Sequence, residues 1–143
     1  MAEYSANAVQ TVNPGESIVF TEANDPCNLG FIRHRNDSGS FLLSGCNCGC
    51  NRNGSTRYLV DFGANIAVPT GETVGPISVA IAIDGATVVS STMIVTPAAV
   101  EEYFNVSRAT GVPIWNGCCE TVTIRNTSEI PILVQNANIV FSR

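Results

Sequence analysis

The stretch Ile77–Ile83 constrains the fold more than any other part of the sequence. Isoleucine and valine alternate there with one serine and two alanines, and a period of two is that of a β-strand whose two faces differ. Asp84-Gly85 follows and suits the positive φ angles of a tight hairpin turn. The sequence therefore predicts a hairpin into a second strand, Thr87–Val95, with the branched face in the core. The face of small side chains is either solvated or packed against a neighbouring subunit.

The rest of the chain is also rich in residues that favour β-strands. Valine and isoleucine number 28 against five leucines, and with twelve threonines they make 40 β-branched residues out of 143. Such side chains favour strands. Short apolar stretches recur between Gly, Pro and Asn turn signals, with no flexible linker between them. We expect an all-β, two-sheet antiparallel sandwich of about ten strands, with a tail over residues 1–8 and a single domain over residues 9–143.

One segment allows two interpretations. Thr96–Phe104 fits a short helix with Thr96 as its cap and Pro97 in its first turn. It fits equally well a loop that enters the next strand. Both alternatives stay open from sequence.

The charge balance excludes some classes of partner. The chain has seven arginines, no lysine and twelve acidic residues, which gives a net charge of −5. We therefore expect no electrostatic binding to nucleic acid. The sequence has no apolar run of membrane-spanning length and no basic-then-apolar start typical of a signal peptide. This pattern predicts synthesis in the cytoplasm without a signal peptide, and no membrane insertion.

The low charge content points to assembly. Charged residues make up 13% of the chain, about half of the usual ~25%. A surface with so few charges suggests that part of it is covered by another subunit or another protein.

Five segments of the sequence together carry a resemblance to known proteins: Ala8–Glu16, Pro26-Cys27, Ile32–Arg35, Gly63–Pro69 and Val134–Ile139. They resemble the small C1q/TNF-like jelly-roll proteins of Gram-positive gut bacteria and their prophages. The resemblance implies a two-sheet jelly roll that forms compact homotrimers, with the last strand, Ile132–Phe141, in a central position close to the threefold axis. The chain has no Gly-X-Y repeat, so a collagen-like stalk is not implied.

The six cysteines have three possible states. Cys46, Cys48 and Cys50 alternate, so an extended strand would direct three thiols to one side, where they are weak candidates for a metal site. Their spacing does not match the paired CxxC motifs of zinc sites. The other states are free thiols and disulfides within or between subunits. Disulfide candidates are Cys27, Cys46, Cys48, Cys50, Cys118 and Cys119.

The sequence offers little that is typical of an enzyme. The single histidine, His34, lies between two arginines, and no nucleophile motif, phosphate loop or dinucleotide motif occurs. We expect no enzymatic activity, no catalytic residues and no cofactor. Tyr58, Tyr103 and Trp115 are candidates for a sugar-binding loop face, and core or interface packing is the alternative for each of them.

Together these observations predict a non-enzymatic structural protein. We expect a homotrimeric jelly-roll subunit that decorates a larger particle through a capsid or other surface-assembly protein. A phage virion, as capsid decoration or head fibre, is the first candidate for that particle. The alternative is a receptor- or glycan-binding tip module on a phage fibre or on a spore or cell surface.

Overall fold

The computed structural model describes residues 1–26, 31–45, 55–115 and 119–143. Its strands in chain order are β1 (Ala2–Ala6), β2 (Gln10–Val12), β3 (Glu22–Asp25), β4 (Ile32–His34), β5 (Phe41–Ser44), β6 (Ser55–Ala67), β7 (Ile77–Ile83), β8 (Ala86–Thr87), β9 (Met93–Val95), β10 (Phe104–Trp115), β11 (Cys119–Asn126) and β12 (Ile132–Ser142). A 3-10 turn covers Val89–Ser91. No helix among these residues is long and apolar enough to cross a membrane.

The strands form two antiparallel sheets. Sheet A has the order β10-β6-β12-β1-β3, with β2 also paired to β12, and sheet B has the order β4-β5-β11-β7-β8, with β9 also paired to β7. The predicted all-β, two-sheet jelly-roll sandwich is confirmed, with twelve strands in the described residues. The last strand, β12, lies in the middle of sheet A, between β6 and β1.

The predicted hairpin is present, and its second strand is interrupted. Asp84 and Gly85 have φ angles of 49° and 83°, and they connect β7 to β8. The chain then leaves the sheet through the 3-10 turn and returns as β9, which pairs with the first half of β7. Ser91 explains the interruption, because its hydroxyl accepts a 2.9 Å hydrogen bond from the Ile81 N–H. A side chain thus takes the place of a backbone carbonyl in the ladder.

The prediction of an N-terminal tail over residues 1–8 is wrong for most of that segment. Ala2–Ala6 forms β1, which is paired on one side with β12 and on the other with β3. Ala2, Tyr4 and Ala6 are buried in the core. These residues are therefore part of sheet A and do not form a tail.

The small-residue face of β7 is covered by other parts of the same chain and not by a neighbouring subunit. Ala80 and Ala82 have no exposed surface within the single chain. Arg125 of β11 is the cross-strand partner of Ala80, so its side chain starts from the same face. Its guanidinium donates hydrogen bonds to the carbonyls of Gly15 and Gly85. The chain itself covers this stripe.

The segment between β9 and β10 is a loop, which settles the choice left open by the sequence. Glu101 has a φ angle of 56°, which is incompatible with a right-handed helix. Its N–H donates a 2.7 Å hydrogen bond to the carbonyl of Val68, so the loop is tied to the residue that follows β6.

The core between the sheets contains a cluster of aromatic rings centred on Phe41. Tyr4, Phe20 and Phe141 lie 4.9–5.3 Å from Phe41, measured between ring centroids. His34 stacks on Phe41 at 4.5 Å, and its Nε2 lies 2.9 Å from the carbonyl oxygen of Ser38. The single histidine is thus a packing residue at the rim of the core.

Candidate interaction surface

The outer face of sheet A is built largely from β6, β10 and β12, the three longest strands among the described residues. On β6, Tyr58, Val60 and Phe62 point into the core, so the residues between them point outward. From one end of β6 to the other, the outward residues and their cross-strand neighbours on β10 are Arg57 and Pro113, Leu59 and Gly111, Asp61 and Ala109, Gly63 and Ser107, and Asn65 and Asn105.

The centre of this face combines short and apolar side chains. Gly63, Ala109 and Gly111 add almost nothing above the backbone. Leu59 is 47% exposed, and Val140 of β12 lies next to Asp61 on the other side of β6. A partner can therefore approach the sheet closely over Gly63 and Ala109, whereas the Arg57 side chain lies over Gly111, with its Nη1 3.7 Å from the position of a Cβ there.

The β1 and β3 side of the same face is acidic and polar. Glu3 lies opposite Val140 on one side and Asp25 on the other, and it accepts a 2.7 Å hydrogen bond from the amide of Asn138. Glu22 accepts a 3.1 Å hydrogen bond from the amide of Asn7. The hydrogen-bond partners of these two carboxylates are amides, which carry no charge and do not offset the negative charge. The β1 and β3 side of the face is therefore negatively charged.

A groove opens at the end of this face where β6 begins and β12 ends. It has a volume of about 340 Å³ and is mostly apolar. Its lining comprises Arg57, Tyr58, Leu59, Gly111, Ser142 and Arg143. The guanidinium of Arg143 lies 4.3 Å from the centre of the Phe31 ring, a cation–π distance.

A second groove lies at one end of sheet B. It has a volume of about 490 Å³ and is formed by the loops 73–76 and 127–130 together with Ile94 of β9. The Ser78 and Thr127 hydroxyls within it lie 2.6 Å apart. Glu129 is its only ionisable lining residue among those described, so the groove does not place an acid and a base side by side.

The three aromatic candidates for a sugar-binding face do not come together. Tyr58 is fully buried, and its hydroxyl donates a 2.7 Å hydrogen bond to the Ser44 carbonyl, so its assignment to a binding loop is wrong. Tyr103 precedes β10 and Trp115 ends it. Twelve residues of extended chain separate them by roughly 40 Å. A single sugar site cannot use both.

Most of the cysteine predictions fall outside the described residues. The cysteines concerned are Cys27, Cys46, Cys48, Cys50 and Cys118. The predicted metal site and the predicted disulfides of these cysteines therefore stay predictions. Cys119, in β11, is an exposed free thiol, and its sulfur lies 3.5 Å from the Ser44 hydroxyl. Within the described ranges, no three His, Cys, Asp or Glu side chains come together as a metal site requires.

One carboxyl group has a perturbed proton affinity. Burial, followed by the negative charge of nearby Asp84, raises the pKa of Glu120 above its ordinary value. Asp84 is held in place because its carboxylate accepts a 2.8 Å hydrogen bond from the Thr121 N–H. Asp84 belongs to the turn that follows β7.

Comparison with known proteins supports the fold. The chain matches no protein-family model and no curated protein. Among solved structures, Eiger TNF from S. frugiperda has a TM-score of 0.67 at 11% identity, with coverage of 98% of this chain and 88% of that one. The globular domain of the zebrafish complement 1qA protein has a TM-score of 0.61 at 12% identity, with coverage of 97% and 94%. The chain therefore has the jelly-roll fold of C1q and TNF-like domains.

Proposed function

We propose that this protein is a non-enzymatic assembly subunit that forms a homotrimer through the outer face of sheet A. The observation that carries the proposal is the centre of that face, where Leu59 stands on a flat surface of glycine and alanine. Burying the exposed half of a leucine side chain contributes about 1 kcal/mol per subunit. β12 lies in the middle of the sheet, and in the proposed trimer it is close to the threefold axis.

The outer face of sheet B is less suitable for such an interface. The side chain of Arg125 and the turns around Gly15 and Gly85 already cover part of it. The two faces of the sandwich therefore differ, and sheet A offers the flatter apolar surface.

We also propose that the trimer decorates a larger particle. The low charge content and the sequence resemblance to jelly-roll proteins of Gram-positive gut bacteria and their prophages favour a phage virion. Since β1 is part of sheet A, the docking surface would be a folded face of the trimer. Co-sedimentation of the purified protein with virions from the producing bacterium tests this part. Protein that stays in the supernatant at every virion concentration would argue against it.

The native mass of the purified protein tests the trimer. We expect a mass of three subunits that persists in reductant, because the proposed interface is formed by β6, β10 and β12 and no cysteine belongs to these three strands. The variant Ala109→Tyr places a ring on the flat face and should give monomers. Ala86→Tyr, the same substitution at an exposed position of β8 in sheet B, should remain trimeric. A wild-type monomer would refute the proposal.

A receptor- or glycan-binding module is the second candidate. Tyr103 and Phe104 are adjacent aromatic side chains, 36% and 38% exposed, and Val100 beside them in sequence is also exposed. This apolar end of the sandwich is a surface on which a sugar ring could stack. Glycan-array binding that is lost in Tyr103→Ala and retained in Ala109→Tyr would favour this function over assembly.

A further inference from the structure

Asp61 is the charge that the proposed interface has to accommodate. It is exposed at the centre of the outer face of sheet A. Its cross-strand neighbours there are Ala109 and Val140, and Leu59 and Gly63 flank it on β6. None of these four side chains neutralises a carboxylate. An interface that closes over this face removes Asp61 from water, and a buried charge without a partner is strongly destabilising.

Arg57 carries the complementary charge on the same face. Two other arginines are already occupied, since Arg108 donates to the Ser90 carbonyl and Arg125 to two further carbonyls. Arg143 lies over the Phe31 ring. Among the described residues Arg57 has no hydrogen-bond or ion-pair partner. Its guanidinium lines the apolar groove beside Leu59 and is available to a group from outside the chain.

The two groups do not satisfy each other within one subunit. Asp61 and Arg57 lie on the same strand, four residues apart, with about 13 Å between their Cα atoms. The exposed side chain of Leu59 stands between them. Neither charge therefore has a partner among the described residues of one subunit.

We propose that Asp61 of one subunit forms an ion pair with Arg57 of the next subunit in the trimer. The proposal rests on the function proposed above. In a cyclic trimer every interface is heterologous, so each subunit offers Asp61 to one neighbour and Arg57 to the other, and three identical pairs close the ring. A guanidinium can bind a carboxylate with two parallel hydrogen bonds. The groove beside Leu59 provides the space in which the carboxylate of the neighbouring subunit reaches the guanidinium of Arg57.

A charge-swap experiment tests this pair. The single variants Asp61→Arg and Arg57→Asp each place two like charges at the interface, and both should weaken trimer formation by at least about a hundred-fold. The double variant Asp61→Arg/Arg57→Asp restores opposite charges and should recover trimers at concentrations where both single variants are monomers. Both positions are exposed, so the subunit fold is retained, and circular dichroism checks this. Arg33→Asp and Glu129→Arg, at exposed positions of other surfaces, serve as controls and should leave the mass unchanged.

The outcomes separate this inference from the function on which it rests. A wild-type monomer refutes the trimer itself. A wild-type trimer whose single variants remain trimeric, or whose double variant stays monomeric, overturns the ion pair and leaves the trimer standing. A trimer that falls apart in chelator and tolerates Arg57→Asp would show that a cation neutralises Asp61, which also overturns the pair.

Discussion

The hydroxyl of Tyr58 in β6 donates a 2.7 Å hydrogen bond to the backbone carbonyl of Ser44, the last residue of β5. Because β6 belongs to sheet A and β5 to sheet B, this bond joins the two layers of the sandwich across its interior. The ring of Tyr58 is fully buried. The residue therefore acts in packing and in connecting the two sheets.

Removing this hydroxyl should reduce stability and leave any binding activity intact. Tyr58→Phe keeps the ring and deletes the donor, so the Ser44 carbonyl loses a buried partner at a cost of about 1–2 kcal/mol. Urea unfolding followed by tryptophan fluorescence measures the change. Tyr103→Phe removes the same hydroxyl from an exposed ring and serves as the control, with no expected loss. Equal stability of the two variants would contradict the inter-sheet role.

Gly39 is required by a close approach between two chain segments. A Cβ atom at this position would lie 2.3 Å from the carbonyl oxygen of Ile18 and 2.9 Å from the Cβ of Ser17. Phe20 and Ser38 pair beside it, so the backbone on both sides is held. Gly39→Ala should therefore cost about 1–3 kcal/mol of unfolding free energy, as overpacking does.

The control for this effect is Gly75→Ala. A Cβ at Gly75 meets nothing within 4 Å, so the substitution should be neutral or slightly stabilising. Thermal unfolding of the two variants side by side makes the comparison. A Gly39→Ala protein that melts with the wild type would show that the segment at Ile18 moves aside freely.

Local patterns were sufficient to predict the hairpin and the class of the fold. Strict alternation in Ile77–Ile83 and the Asp84-Gly85 turn both act over a few residues, and the structure has both. The fate of the small-residue face was not predictable in this way. Ala80 and Ala82 are covered through Arg125, which lies far away in the sequence and is aligned with them only by the sheet register.

The error at the N-terminus has a similar cause. The segment Ala2–Ala6 is short and has one large apolar residue, Tyr4, so by itself it resembles a tail. It is a strand because β12 and β3 supply partners on both sides. The hydrogen bond between Asn138 and Glu3 spans 135 positions of the chain. Such a contact leaves no local signal.

The candidate surface had a usable sequence signal. Tyr58, Val60 and Phe62 alternate with Arg57, Leu59 and Asp61, so the residue pattern of this segment by itself separates a core face from an outward face. This alternation, extended to Gly63, identifies Tyr58 as a core residue and Asp61 as outward. The neighbouring glycine and alanine of β10 become part of the surface only through strand pairing, which the sequence does not specify.

The raised pKa of Glu120 predicts a pH-dependent stability. The folded state holds the proton more tightly than the unfolded state, so wild-type stability falls as pH rises from the ordinary value of 4.5 through the folded pKa. Glu120→Gln cannot ionise and escapes this loss. The variant should be more stable than the wild type at pH 7 and equal to it at pH 3, by thermal unfolding across the range.

A control for this profile is Glu129→Gln, which removes one negative charge near the other end of β7. This variant measures how much stability the protein gains simply from a smaller net negative charge. If Glu129→Gln gains as much stability at pH 7 as Glu120→Gln does, the contribution of burial and of Asp84 is refuted.

Arg125 should stabilise the fold through hydrogen bonds to neutral carbonyls. Its Nε and Nη2 donate to Gly15 at 3.1 and 2.8 Å, and its Nη1 donates to Gly85 at 2.7 Å, so one side chain ties two turns to sheet B. Arg125→Met keeps an apolar stem over the alanines and removes every donor. We expect a loss of about 1–2 kcal/mol in urea unfolding, and the loss should persist in high salt because the acceptors carry no net charge. Arg33→Met, at an exposed edge strand, should show no such loss, and a deficit that disappears in salt would mean that Arg125 acts through acidic groups instead.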